Sequence, residues 1–78
     1  MHGRITRIEF WSIENTGWSG GISWFRDDVR FDTKQEALES CLEQKEDLNQ
    51  DTTLWRIVHT KIERFDNREV ITREWTII

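Results

Sequence analysis

A chain of 78 residues spans one domain, 1-78, because a second independent core needs more length than this. Five Trp and four Phe with no Pro and only four Gly exclude a disordered or low-complexity segment and imply a small core built from large rings. A single Cys excludes an internal disulfide, and a net charge of −4 disfavours direct binding to duplex nucleic acid.

The chain begins Met1-His2-Gly3-Arg4-Ile5-Thr6-Arg7, polar where a secretory signal needs an apolar run. No apolar stretch approaches the roughly 18 residues of a membrane span. The expectation is a cytoplasmic protein with no membrane contact. From Arg4 to Glu14 the residues Ile5, Ile8, Phe10, Trp11 and Ile13 favour a strand, although apolar alternation slips once at Phe10-Trp11, which suggests a bulge or twist. Asn15-Thr16-Gly17-Trp18-Ser19-Gly20-Gly21 is the strongest turn signal and predicts a hairpin. A second strand is expected from Ile22 to Phe31, kinked at Asp27-Asp28.

Thr33-Lys34-Gln35-Glu36 has the spacing of a capping box and predicts a helix start. The helix should present Ala37, Leu38, Cys41, Leu42, the stem of Lys45 and Leu48 as an apolar stripe packed on a sheet, and should stop at Asn49-Gln50-Asp51-Thr52. Leu54 to Phe65 and Glu69 to Ile78 read as a pair of strands joined at Asp66-Asn67, residues suited to a two-residue hairpin turn. Setting Phe65 opposite Arg68 pairs Arg64 with Glu69, Ile62 with Ile71, Lys61 with Thr72, His59 with Glu74 and Val58 with Trp75. Apolar meets apolar and charge meets opposite charge in that register. It places Leu54, Val58, Ile62, Ile71, Trp75 and Ile77 on one face, the expected platform for the helix, and leaves Trp55, Ile57, His59, Lys61, Glu63, Val70, Thr72, Glu74 and Thr76 on a mixed face free for solvent or a partner. The expected fold is therefore α+β: an antiparallel sheet of two β-hairpins with one amphipathic helix packed on one face, in the order ββαββ.

Residues for ordinary chemistry are missing. His2 and His59 are the only histidines, too few with one Cys for a zinc site or a nucleophile-histidine-acid triad. The glycines lack the lysine and helix start of a phosphate loop, and Asp27, Asp28 and Asp32 lack the ligand alternation of a calcium loop. We expect no metal, no cofactor and no enzymatic activity.

Charge is segregated along the chain. Between Asp27 and Asp51 nine acids face Arg30, Lys34 and Lys45, a local charge of −6 in a chain of −4. Glu36, Glu39, Glu43 and Glu46 recur on one helix face, with Asp47 beside them. An exposed helix needs charge for solubility, which accounts for such residues one by one. Glu46 and Asp47 nevertheless sit at the helix C-terminus, where the helix dipole opposes negative charge by about 0.3–1 kcal/mol each. A carboxylate ridge suits docking to a protein partner with a basic surface. Trp18, flanked by glycines, either caps the open end of the core or protrudes as an interface anchor. The alternatives are a sheet that binds single-stranded nucleic acid, using Arg4, Arg7, Arg26, Arg56, Lys61, Arg64, Arg68 and Arg73 among Trp11, Trp24, Phe25 and Trp55, and a structural dimerisation module. Nucleic acid is the less favoured, since no aromatic ribonucleoprotein motif is present. Both a monomer and a homodimer fit.

The plan of a hairpin, a helix entered through Phe31-Asp32-Thr33-Lys34-Gln35-Glu36-Ala37-Leu38, and a second hairpin carrying Trp55-Arg56-Ile57-Val58 resembles small bacteriophage early and accessory proteins, including some anti-CRISPR proteins. The resemblance covers most of the chain in size, acidity and element order and carries no functional residue across. It implies an inhibitor or modulator that occupies a surface of a host enzyme or defence complex in the host cytoplasm.

Overall fold

The computed structural model of the chain describes residues 6–17, 23–48 and 52–78. Strand β1 (Thr6–Asn15), strand β2 (Phe25–Arg26), helix α1 (Lys34–Leu48), strand β3 (Trp55–Arg64) and strand β4 (Glu69–Ile77) follow one another in the expected order of an α+β chain. All four strands join one antiparallel sheet in the spatial order β2-β1-β3-β4. The two hairpins thus share a sheet, and the connection through α1 returns the chain to the far side of β1.

The β3/β4 hairpin has the register that cross-strand matching predicts, from Arg64 opposite Glu69 through Ile62 opposite Ile71 to Val58 opposite Trp75. Its turn closes with the Phe65 N–H donating to the Arg68 carbonyl at 2.8 Å. Pairing of β1 with β3 runs unbroken from Thr6/Arg64 to Asn15/Trp55, so no bulge interrupts β1. The adjacent rings of Phe10 and Trp11 fall on opposite faces, as the strand pleat requires, and both are accommodated because Trp11 packs against the helix core while Phe10 is buried on the other face. At the end of β1 the Gly17 backbone has a φ of +51°, and its N–H donates to Asn15 Oδ1 at 2.9 Å. A side chain at Gly17 would be strained by that left-handed backbone.

The second strand is much shorter than expected. Among the described residues it pairs only at Phe25–Arg26, after which the Asp27 N–H donates to the Ile13 carbonyl at 3.2 Å and the chain leaves the ladder; Ile22 lies outside the described residues. Phe31 then returns to exchange two 2.8 Å bonds with Trp11. Asp27-Asp28 ends the strand instead of kinking it, since their side chains favour turns over ladder pairing. The excursion lays the Arg30 guanidinium over the Phe10 ring at 4.1 Å.

The helix begins where the capping pattern places it. The Glu36 N–H donates to Thr33 Oγ1 at 3.2 Å, and the Thr33 hydroxyl donates to Glu36 Oε1 at 2.9 Å, so the carboxylate answers the hydroxyl. The helix covers the face opposite to the one expected. Ala37 and Cys41, both fully buried, pack with Ile13, Trp55 and Ile57, and Trp11, Phe31, Leu38 and Ile78 close the edges. The expected platform is left without the helix: Leu54, Ile71, Trp75 and Ile77 are about half exposed, and Val58 alone of that set is fully buried. The reason lies in β1. Beside Trp55 and Ile57 it brings Trp11 and Ile13, whereas beside Val58 and Arg56 it brings Ser12 and Glu14. Ile8 and Phe10 add apolar area to that second face too, beside Ile62 and Thr60, so total area does not separate the two. The helix rests where apolar side chains run across β1 and β3 without the buried charges of Glu14 and Arg56.

The apolar helix stripe is correspondingly narrower. Small side chains at positions 37 and 41 let the helix approach the sheet closely, while Leu42 and Leu48 are exposed. At about 100° per residue Leu42 lies well round the helix from Ala37 and Cys41. Leu48 continues their line at the last turn of the helix but is 52% exposed. Lys45 Nζ donates to the Ile78 carbonyl at 3.3 Å, tying the helix to the end of the last strand.

Burial pushes the Cys41 thiol above its ordinary range, with the nearby Lys45 ammonium pulling weakly the other way. The thiol should therefore stay protonated and resist alkylation at pH 8 while the domain is folded. A thiol-reactive chromophore should label one equivalent in denaturant and almost none in native buffer. Rapid stoichiometric labelling of the folded chain would contradict the packing of α1. The raised value also implies a contribution to stability that is intact below the unfolded thiol's range and is lost as pH rises through the higher range of the folded thiol.

Candidate functional site

The acidic helix ridge is built by the same geometry that seats α1. Glu36, Glu39, Glu43, Glu46 and Asp47 project within roughly a 100° arc on the side away from Ala37 and Cys41, and all five are exposed. Glu39 Oε1 accepts the Gln35 Nε2 proton at 2.9 Å, and Glu36 is engaged by its capping partner. Among the described residues no cation lies within 4.0 Å of any of the five carboxylates.

The sheet differs. Every arginine in β1, β3 and β4 is paired with a carboxylate: Arg7 with Glu63 at 3.3 Å, Arg64 with Glu69 at 2.8 Å, and both Arg56 and Arg73 with Glu14 at 2.6 Å. Trp11 and Trp55 lie under or beside the helix, and Trp11 stacks on His59 with centroids 4.6 Å apart. Of the rings and cations named for single-strand stacking, Arg7, Arg56, Arg64, Arg73, Trp11, Trp24 and Trp55 are committed to the core, to carboxylates or to each other, and Arg4 lies outside the described residues. Trp18 lies outside the described residues, as do residues 49–51 of the expected helix stop.

Glu14 is the feature that sequence reasoning missed. Its side chain is 6% exposed, and its two oxygens are divided between Arg56 on the adjacent strand and Arg73 two strands away. Arg56 in turn lies 4.0 Å from the Trp24 ring centroid and 4.8 Å from that of Trp75. Both carboxylate oxygens are occupied by guanidinium groups, so this cluster holds the sheet face together and offers no general base. Its signal exists in the sequence only after β1 is set against β3, which places Glu14 opposite Arg56.

Beyond this cluster the helix-free face is apolar at its margin. Ile71, Trp75 and Ile77 on β4 are each 55–56% exposed, and β4 is the outer strand of the sheet. Among the described residues no three His, Cys, Asp or Glu side chains converge to hold a metal ion, and no helix is long and apolar enough to cross a membrane. Comparison of the chain with protein families, with curated proteins and with solved structures gave no match.

Proposed function

We propose that this domain acts by binding, as an inhibitor or modulator that docks its acidic helix face on a basic surface of a protein partner. The observation that supports it is the separation of charge. The arginines of the long strands are neutralised by carboxylates, whereas the five helix carboxylates are exposed and, among the described residues, free of cations. Carboxylates left unpaired, two of them against the helix dipole, are available to an incoming arginine or lysine at no cost in intramolecular ion pairs. A host bacterial enzyme or defence complex with a cationic groove is the partner that the phage-protein resemblance implies.

Affinity capture from bacterial lysate, repeated after nuclease treatment, should retain a protein. The Glu39→Lys/Glu43→Lys variant should hold that protein roughly tenfold less tightly, with a weaker salt dependence, since each exposed charge contact is worth about 0.2–1 kcal/mol and reversal also adds repulsion. Glu and Lys have similar helix propensities, so the fold should be unchanged. A folded double variant that retains the partner at wild-type strength would overturn the assignment of the helix face. Capture that depends on nucleic acid would favour the stacking sheet instead.

A further inference from the structure

We propose that two copies of this chain associate through the outer edge of β4, forming one continuous eight-stranded antiparallel sheet about a two-fold axis at Glu74. Among the described residues nothing but β3 pairs with β4, and the ladder defines which backbone groups of its outer edge are left over. The Phe65 N–H donates to Arg68 and the Ile78 N–H to Trp55 at 2.9 Å, so the even residues of β4 face β3. In an antiparallel pair both backbone groups of a residue point to the same side. The N–H and C=O groups of Glu69, Ile71, Arg73, Trp75 and Ile77 therefore point outward, along a nine-residue strand paired without interruption to β3.

Sheet edges of this kind are usually blunted by proline, a bulge, charged side chains, a covering element or a very short strand. The opposite edge is blunted in that way, by the two-residue β2 and the excursion after it. Strand β4 has neither proline nor bulge, two of its three charges, Glu69 and Arg73, are paired within the chain by Arg64 and Glu14, and it carries exposed Val70, Ile71, Trp75 and Ile77.

What fits the edge is decided by register. Outward-facing residues must meet outward-facing residues, which limits a two-fold antiparallel pairing to axes centred on a residue. An axis at Arg73 sets that guanidinium against its own copy, one at Thr72 sets Glu69 against Trp75, and one at Trp75 sets Arg73 against Ile77. An axis at Ile71 matches Glu69 with Arg73 but runs Trp75 onto the turn residue Asn67 and leaves Ile77 unpaired. An axis at Glu74 sets Ile71 against Ile77 and Arg73 against Trp75, and on the other face Thr72 against Thr76 and Val70 against Ile78. Each pair occurs twice, and these are the apolar, cation–aromatic and Thr–Thr pairs that stabilise cross-strand contacts. The single adverse pair is Glu74 with its copy, and His59 stands opposite Glu74 within each chain. The edge is thus complementary to itself. A two-fold axis normal to the sheet keeps both helices on one side, so the dimer would present two acidic ridges together. The dimer itself does not depend on what the helices dock to.

Light scattering on the full chain should show the 9.5 kDa mass doubling as concentration rises through the micromolar range. Ile71→Pro removes an outward N–H without touching the β3 ladder, and Ile77→Lys charges a side chain that is 55% exposed. Both should stay monomeric with wild-type circular dichroism, and Ile77→Lys carries the test if the proline variant fails to fold. Register is read by cross-linking. Glu74→Cys faces its own copy across a pair about 4.5–5.5 Å apart and should oxidise to a disulfide dimer, whereas Thr72→Cys should not. A wild-type chain that remains monomeric, a dimer that survives Ile77→Lys, or cross-linking at Thr72→Cys in place of Glu74→Cys would each overturn the proposal.

Discussion

Replacing Trp55 by alanine should cost about 3–5 kcal/mol of folding free energy, the largest loss of any single truncation in the core. Trp55 is 2% exposed and lies where β3 meets the helix, packed with Ile13, Ala37, Cys41 and Ile57. Its carbonyl also accepts the Ile78 N–H, which anchors the end of the last strand beside it. Small domains hold about 5–15 kcal/mol in total, and a chain this short sits toward the lower end. The variant should therefore be substantially unfolded near 37 °C. Urea unfolding followed by circular dichroism gives the difference directly, since fluorescence would be confounded by the lost indole. A loss below about 1 kcal/mol would mean that the helix does not rest on Trp55.

Glu14→Gln should be the most damaging change that removes no volume, at about 3 kcal/mol. The amide keeps the shape of the side chain but leaves Arg56, 12% exposed, without its carboxylate. Removing one member of a buried ion pair costs about 3–5 kcal/mol, because the surviving charge stays desolvated. The lower figure applies because Arg73 is 40% exposed and can turn to water. Replacing Arg56 by methionine in the same chain should recover part of the loss, since the pair then leaves the interior together. A single variant within about 1 kcal/mol of wild type would show that the cluster does not stabilise the far face. A double variant no better than the single would locate the cost elsewhere, in the cation–aromatic contacts of Arg56 with Trp24 and Trp75.

Features set by residues close to one another along the chain are legible in the sequence itself. Thr33 and Glu36 announce the helix start, and Asp66-Asn67 the turn. The six residue pairs that fix the β3/β4 register all occur. The outward placement of Glu36, Glu39, Glu43, Glu46 and Asp47 follows from helical spacing once Ala37 and Cys41 are taken as the packed side. Residues 22–31 read as one long strand because Ile22, Trp24, Phe25, Val29 and Phe31 favour extended backbone. Among the described residues 23–31 only Phe25–Arg26 pairs as a strand, with Phe31 returning as an isolated bridge. Nothing local shows that Asp27 turns away from β1 or that Trp24 and Arg30 are spent on Arg56 and Phe10 across the sheet.

The sequence by itself determined the elements, their order and the pairing of the last hairpin, because periodicity, capping and cross-strand matching act over a few residues or across a short turn. Only the tertiary structure decided which sheet face the helix covers. That choice depends on the sum of side chains from β1 and β3, strands whose paired residues lie some 40 to 58 positions apart. Considered alone, the last hairpin shows Val58, Ile62, Ile71 and Trp75 as the more apolar side. Beside β1 that side gains Ile8 and Phe10 but also the buried Glu14 with Arg56 and Arg73, whereas Trp11 and Ile13 join Trp55 and Ile57 on a side free of buried charge. The helix packs on the uncharged patch of Ile13, Trp55 and Ile57 and meets the end of the last strand at Ile78, so Ile71, Trp75 and Ile77 are left exposed on a strand that is outermost among the described residues.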